Sequence, residues 1–225
     1  MKPIYTRNRT IGLLGGSFNP AHSGHLHITL YALNKLKFDE VWWLVSPHNP
    51  LKKLESLADY GQRLQSAELI AAGHPKIRVL DFEARAHTQY SYQTVDLIKK
   101  RYPGTKFAWL MGADNLANFH RWQHWQKLQD NIPVVVFDRA PYSHTSLRSK
   151  AFLRGRRFLS KTIGITSFVP PCGQLFIHLK RSPVSSTILR KSLGTGAFLG
   201  HNNKAGAPVY APAGKEQSHT YKIKK

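Results

Sequence analysis

Short apolar runs that alternate with amphipathic stretches predict an α/β fold: a doubly wound, Rossmann-like parallel sheet with helices on both faces, in a single domain. Three observations carry this expectation. Segments 11–15, 40–46, 76–82, 106–111 and 133–138 are short, rich in β-branched or aromatic residues and bounded by turn residues, as buried strands are. Between them apolar residues recur at helical steps; Leu26, Leu30, Leu33 and Leu36 give one such stretch a single apolar face. The links are short, so the strand–helix–strand crossovers are right-handed and the sheet is parallel.

Taken in order, strand 11–15 leads through a glycine pair into the helix that ends near Leu36, and 40–46 follows as the second strand. Residues 57–72 and 92–102 are helical, with strands 76–82 and 106–111 after them. Strand 133–138, a late strand at 174–179 and a late helix at 185–193 complete the pattern. Residues 139–161, basic and free of acids, are either a helix lying across the sheet's edge or a mobile insertion. From 194 to 225 periodicity gives way to Gly, Ala, Asn, Pro and Lys, which predicts a domain of residues 1–193 followed by a disordered basic tail.

Charge is the unusual bulk property. The 225-residue chain carries a net +21, and residues 139–225 hold 16 Lys/Arg against one acid, Glu216. Such a field attracts polyanions: nucleotides, nucleic acid or acidic membrane surfaces. No run of about 18 apolar residues occurs, so a transmembrane helix and a membrane partner are not expected. The start of the chain lacks the apolar core of a secretory signal, and the single cysteine, Cys172, rules out an intrachain disulfide. A cytoplasmic location is expected.

The segment with the most chemistry is GGSFNPAHSGHL, residues 15–26. In an open α/β sheet, ligands bind beyond the carboxyl ends of the strands, and this segment follows strand one. Gly15 and Gly16 allow a tight turn and close approach of a ligand to the backbone. His22 and His25 stand three apart at a helix entrance, where free N–H groups and the positive end of the helix dipole make a phosphate site. Two imidazoles placed there can donate hydrogen bonds to a phosphoryl group as its charge grows. A His-x-x-His pair alone is more often incidental or metal-binding. Here Gly16, Phe18, Pro20, His22, Gly24 and His25 fill the whole pattern G-x-F-x-P-x-H-x-G-H.

That string resembles the first signature of the HIGH-type nucleotidyltransferase superfamily, and specifically of bacterial nicotinate-mononucleotide adenylyltransferases. Ser185-Ser186-Thr187-Ile188-Leu189-Arg190 resembles their second signature. Hydroxyls and N–H groups at a helix start, with an arginine one turn on, can hold the β- and γ-phosphates of ATP, although the string alone also reads as a capped helix. Met111-Gly112-Ala113-Asp114 resembles the family's G-x-D, whose Asp meets ribose hydroxyls. Tyr90-Ser91-x-x-Thr94 resembles its Y-T-x-x-T at the nicotinate site, with Ser91 in place of the usual Thr. Phe119-x-x-Trp122 resembles the stretch that stacks a tryptophan on the pyridine ring; core packing is the other reading of Trp122 and Trp125. Residues 46–53 take the place of a P-x-x-x-P-P-H-K loop but depart from it, so either Lys52 or Lys53 serves the phosphates.

The resemblance covers residues 10–193 and implies transfer of AMP from ATP to nicotinate mononucleotide in NAD biosynthesis. It implies catalytic His22 and His25, with ATP phosphates on Gly15, Gly16, Ser17, Phe18, Lys52, Ser185, Ser186, Thr187 and Arg190. Nucleotide ribose falls to Gly112 and Asp114, and the pyridine to Ser91 and Trp122. Mg²⁺ would be bound mainly through ATP, since no carboxylate cage is visible in the sequence. Rival acceptors are nicotinamide mononucleotide and phosphopantetheine. The rival class, a basic RNA-binding protein, lacks aromatic interleaving and any RNA module, so nucleic acid is not the expected partner. A homo-oligomer is left open.

Overall fold

The computed structural model describes residues 8–48, 57–138, 143–159 and 173–178. The expected late helix 185–193, the tail 194–225, and Lys52 and Lys53 lie outside the described residues.

Among the described residues seven strands form one sheet in the order β3-β2-β1-β4-β5-β7-β6, and every neighbouring pair is parallel. They are β1 (Thr10–Gly16), β2 (Glu40–Val45), β3 (Ile77–Leu80), β4 (Lys106–Gly112), β5 (Val134–Phe137), β6 (Arg156–Leu159) and β7 (Gly173–Ile177). All six residues of β2, EVWWLV, are buried, because a parallel strand is covered on both faces and reads as one apolar run. The period-2 pleat splits the core in two. Leu13, Trp42, Leu44, Trp109 and Met111 face one layer; Leu14, Trp43, Val45, Leu110 and Val135 face the other.

Helices α1 (Ser23–Lys35) and α2 (Tyr60–Ala71) cover the second layer through Ala32, Leu33, Ala67 and Ala71. On the first lie α4 (Ser91–Arg101), α5 (Ala113–Asn118) and α6 (Trp125–Asn131), through Val95, Ile98, Ala113, Leu116 and Leu128. Short α3 (Phe82–Arg85) follows β3. Because β1 sits between β2 and β4, the crossovers on its two sides cover opposite faces, and a crevice opens at the carboxyl ends of β1 and β4.

Two expectations change. The buried face of α1 runs through Thr29, Ala32 and Leu33 rather than through Leu30, which is only partly buried. Thr29 is inside because its hydroxyl accepts the indole N–H of Trp43 at 2.8 Å. The basic stretch 139–161 is neither a single helix nor an insertion in its described part. It holds α7 (Ser143–Leu147), α8 (Lys150–Arg154) and β6, an edge strand paired with β7. Arginines at two of the four positions of β6 hide it from hydrophobic patterning. Among the described residues no helix is long and apolar enough to cross a membrane.

The glycine pair also differs from expectation. Neither Gly15 nor Gly16 has a positive φ; both are extended residues of β1, so neither makes a tight turn. A Cβ on Gly15 would come within 2.5 Å of the Trp109 ring, and Trp109 is 1% exposed. On Gly16 the nearest atom is Phe18 Cε2 at 3.5 Å, an ordinary contact. Gly15→Ala is therefore expected to cost about 1–3 kcal/mol by overpacking, read by urea denaturation. Gly16→Ala is expected to unfold as the wild type does.

Candidate active site

The site is built on the first turn of α1. His22 is the N-cap, with extended φ of −155°, and its Nδ1 accepts the Gly24 N–H at 3.0 Å. His25, at the third helical position, accepts the His22 N–H on its own Nδ1 at 3.2 Å. This is a reciprocal capping box in which imidazoles replace the usual hydroxyl and carboxylate. An Nδ1 that accepts a backbone N–H carries no proton, so the neutral ring holds it on Nε2. The two rings lie 3.9 Å apart by centroid, and no acid in the first turn offsets the helix dipole.

An aromatic wall fixes these rings. Phe18, in the left-handed region at φ 46° and 2% exposed, stacks on Trp43 at 5.2 Å and meets His25 at 4.7 Å. The structure thus brings Gly16, Ser17, Phe18, His22 and His25 to one end of β1. It gives Gly15 to core packing, whereas Gly16 meets only Phe18 at ordinary contact distance.

Gly112 closes β4 beside this loop. Leu14 pairs with Leu110, and Gly16 and Gly112 each lie two residues further on. Gly112 is the N-cap of α5, which places Asp114 in the first turn of that helix. Trp122 follows the 3₁₀ turn Phe119–Arg121 and is partly buried, edge-to-face with Phe119 at 5.1 Å and Trp109 at 6.1 Å. Trp125 packs on Phe119 and carries Arg154 over its ring at 5.7 Å, a core role. Beside Trp122, Trp109 Nε1 and His120 Nδ1 are buried with no hydrogen-bond partner among the described residues. Ser91 opens α4 and is partly exposed. Lys52, Ser185, Ser186, Thr187 and Arg190 lie outside the described residues.

Two polar residues escaped the sequence reading. Arg63 of α2 is 1% exposed and donates to four sites on backbone carbonyls: Nε to Ala58, Nη1 to Ser17 and Ser46, and Nη2 to Pro47, at 2.7–3.0 Å. Its signal was its position on the 63–67–71 stripe that α2 buries. Glu83 of α3 is 4% exposed and accepts from the Thr94 hydroxyl at 3.2 Å; Thr94 in turn meets Thr88 at 3.0 Å. Burial pushes the Glu83 carboxyl up, only partly countered by hydrogen bonds from Ser46 and Thr94. Thr94 thus faces inward and supports the turn that presents Ser91.

The chain matches the cytidylyltransferase-like family over residues 13–192, and it belongs to that family. Within the family, it is 41% identical over 184 residues to a probable nicotinate-nucleotide adenylyltransferase of Brucella suis, covering 81% of this chain and 94% of that protein. A protein of the same designation from Mesorhizobium japonicum is 42% identical over 192 residues, covering 84% and 97%. In fold the chain resembles the Plasmodium falciparum nicotinic acid mononucleotide adenylyltransferase complexed with NaAD, at a TM-score of 0.64 and 18% identity. That likeness covers 82% of this chain and 84% of the other.

The raised Glu83 carboxyl makes a pH prediction. A buried acid with a raised pKa contributes its full stability below the ordinary carboxylate pKa of 4.5 and loses it as pH rises through the raised value. Glu83→Gln, which keeps the shape and loses the proton, should match the wild type below about pH 4.5 and become relatively more stable as pH rises above it. Urea denaturation across a pH series reads the gap. A gap independent of pH would mean that the carboxyl titrates alike in both states.

Proposed function

We propose that this chain transfers the AMP part of ATP to nicotinate mononucleotide, forming nicotinate adenine dinucleotide and pyrophosphate. The observation that carries this reading is the double imidazole cap at the start of α1, at the crevice between β1 and β4. A phosphate oxygen of the mononucleotide attacks the α-phosphorus of ATP. The bond to the β-phosphate breaks and pyrophosphate leaves. The nucleophile is already anionic, so placement and charge stabilisation carry the rate rather than a general base.

In this mechanism the Nε2–H groups of His22 and His25 donate to the α-phosphoryl oxygens as charge builds on them. Gly16 lets the phosphate chain approach the backbone, with Ser17 and the Phe18 N–H beside it. Arg190, Ser185, Ser186, Thr187 and a lysine of the Lys52–Lys53 pair hold the leaving pyrophosphate, a role that rests on the signatures they match. Asp114 and Gly112 take ribose. Among the described residues no group of three or more His, Cys, Asp or Glu is placed to hold a metal. An Mg²⁺ ion carried mainly by ATP oxygens and water would neutralise phosphate charge when bound. The chain's own residues would serve it by holding the triphosphate.

Trp122 supplies a ring face to the pyridine, and donors near it select its substituent. The Ser91 hydroxyl and the buried Trp109 indole N–H support an acceptor-only carboxylate over an amide, whose NH₂ would face another donor at a cost of about 1–3 kcal/mol. Pyrophosphate release from ATP, assayed with nicotinate mononucleotide, nicotinamide mononucleotide and phosphopantetheine in turn, tests the assignment. The highest kcat/KM is expected for the nicotinate form, and His22→Ala or His25→Ala should lower its kcat by roughly 10²–10³. Equal use of the amide would defeat the substrate assignment. Release with none of the three, together with tight binding of labelled RNA, would defeat the enzymatic one.

A further inference from the structure

We infer that Arg63 is a positioning residue that aims the backbone N–H groups of two loops at the ATP phosphates. This rests on the function proposed above. Arg63 lies under the site, on α2, and its guanidinium joins three separate pieces of chain. Nη1 donates to the Ser17 carbonyl, in the loop after β1, at 2.8 Å. The same nitrogen and Nη2 donate to the Ser46 and Pro47 carbonyls, after β2, at 2.7 and 2.8 Å. Nε donates to the Ala58 carbonyl at 3.0 Å. Residues 46–47 and 58 are the two ends of the stretch that contains Lys52 and Lys53, so one side chain grips both ends of it.

The consequence follows from peptide planarity. In a trans peptide the carbonyl and the next N–H point in opposite directions. The carbonyls of Ser17 and Pro47 turn toward the guanidinium, so the N–H groups of Phe18 and His48 turn away from it. The Ser46–Pro47 peptide offers no N–H, and the Ala58 contact turns the Asp59 N–H at the N-cap of α2, so Phe18 and His48 are the donors the clamp orients in the loops after β1 and β2. Other groups on the same loops agree: Ser17 Oγ and His48 Nδ1 are buried with no hydrogen-bond partner among the described residues. Further bonds lock α2 to the same loop, from the Ala21 N–H to Ser66 Oγ at 3.1 Å and from the Ala58 N–H to Asn19 Oδ1 at 3.1 Å.

The choice of arginine is physical. Four carbonyl contacts from one side chain need the rigid fork of a guanidinium, and a lysine offers a single point of donation. All four bonds run to neutral carbonyls, so the buried cation also adds positive potential beneath the phosphates. Burial opposes that charge, but arginine keeps it.

The test pairs a variant with a measurement on the unaltered protein. Arg63→Lys keeps charge and loses the fork. It is expected to lower kcat/KM for ATP by about 10- to 100-fold, as misplaced donors do, while KM for nicotinate mononucleotide stays within about threefold because the pyridine residues lie across the sheet. A folded Arg63→Lys enzyme with wild-type kcat/KM for ATP, or with KM for nicotinate mononucleotide raised as much as KM for ATP, overturns the inference. Should Arg63→Lys fail to fold, titration of ¹⁵N-labelled wild type with inorganic pyrophosphate decides. The Phe18 and His48 amides must shift on saturation, and their failure to do so overturns the inference. A wild type that binds pyrophosphate with those shifts yet releases none from ATP would refute the proposed reaction and leave the positioning role standing.

Discussion

A helix begins with N–H groups that its own backbone cannot satisfy, and in this protein two imidazoles accept at that start, one from the first turn and one from the N-cap. His22 takes the N–H of Gly24, and His25 takes that of His22. The bond that starts the helix therefore also decides which edge of each ring is protonated. In the proposed mechanism stability and chemistry share one interaction, and the rest of the site serves to place it. Phe18 and Trp43 wall the rings, α1 supplies the dipole, and the strand order puts the turn where the sheet's crossovers diverge.

Ser46 shows how the two halves of the crevice are tied. Its N–H goes to the Gly16 carbonyl, its carbonyl to Arg63, and its hydroxyl to the buried Glu83. One residue thus links the end of β1, the arginine clamp and the turn that presents Ser91. The opposite end of the sheet uses a different kind of tie. There Glu40 joins Arg9 at 2.6 Å, Arg78 at 2.7 Å and the Trp42 indole at 2.9 Å. Burial alone would raise the Glu40 carboxyl, but the hydrogen bonds from Arg78 and Trp42 and the charges of Arg78 and Arg9 bring it below its ordinary value. Carboxylate–arginine pairing thus holds the amino end of the strands, while the carboxyl end, the proposed phosphate site, is held through backbone carbonyls.

Much of this was legible in the sequence, for reasons that can be named. Strands such as β2 and β4 announce themselves because both faces are buried and the apolar run is unbroken. The first motif stood out because six residue types at fixed spacing leave little room for coincidence. Edge strand β6 was hidden by its arginines. Arg63 and Glu83 were hidden because a charged residue on an apolar stripe reads as an interruption of that stripe until its partners are known. Those partners are distant: Arg63 reaches Ser17 across 46 positions, and Thr94 reaches Glu83 across 11. The capping role of the histidines was also invisible, since capping boxes are sought as Ser or Thr with Glu or Gln. For the glycine pair, only the structure could separate Gly15, crowded by Trp109, from Gly16.

The proposed chemistry stands or falls on the tautomer that the cap imposes. Long-range ¹H–¹⁵N correlation on protein labelled at histidine reads it directly, ring by ring, without substrate or mutation. Neutral His22 and His25 are both expected to carry the proton on Nε2 and leave Nδ1 bare. A proton on Nδ1 of either ring would contradict it, because that ring could neither complete the cap nor offer its Nε2–H to a phosphoryl oxygen.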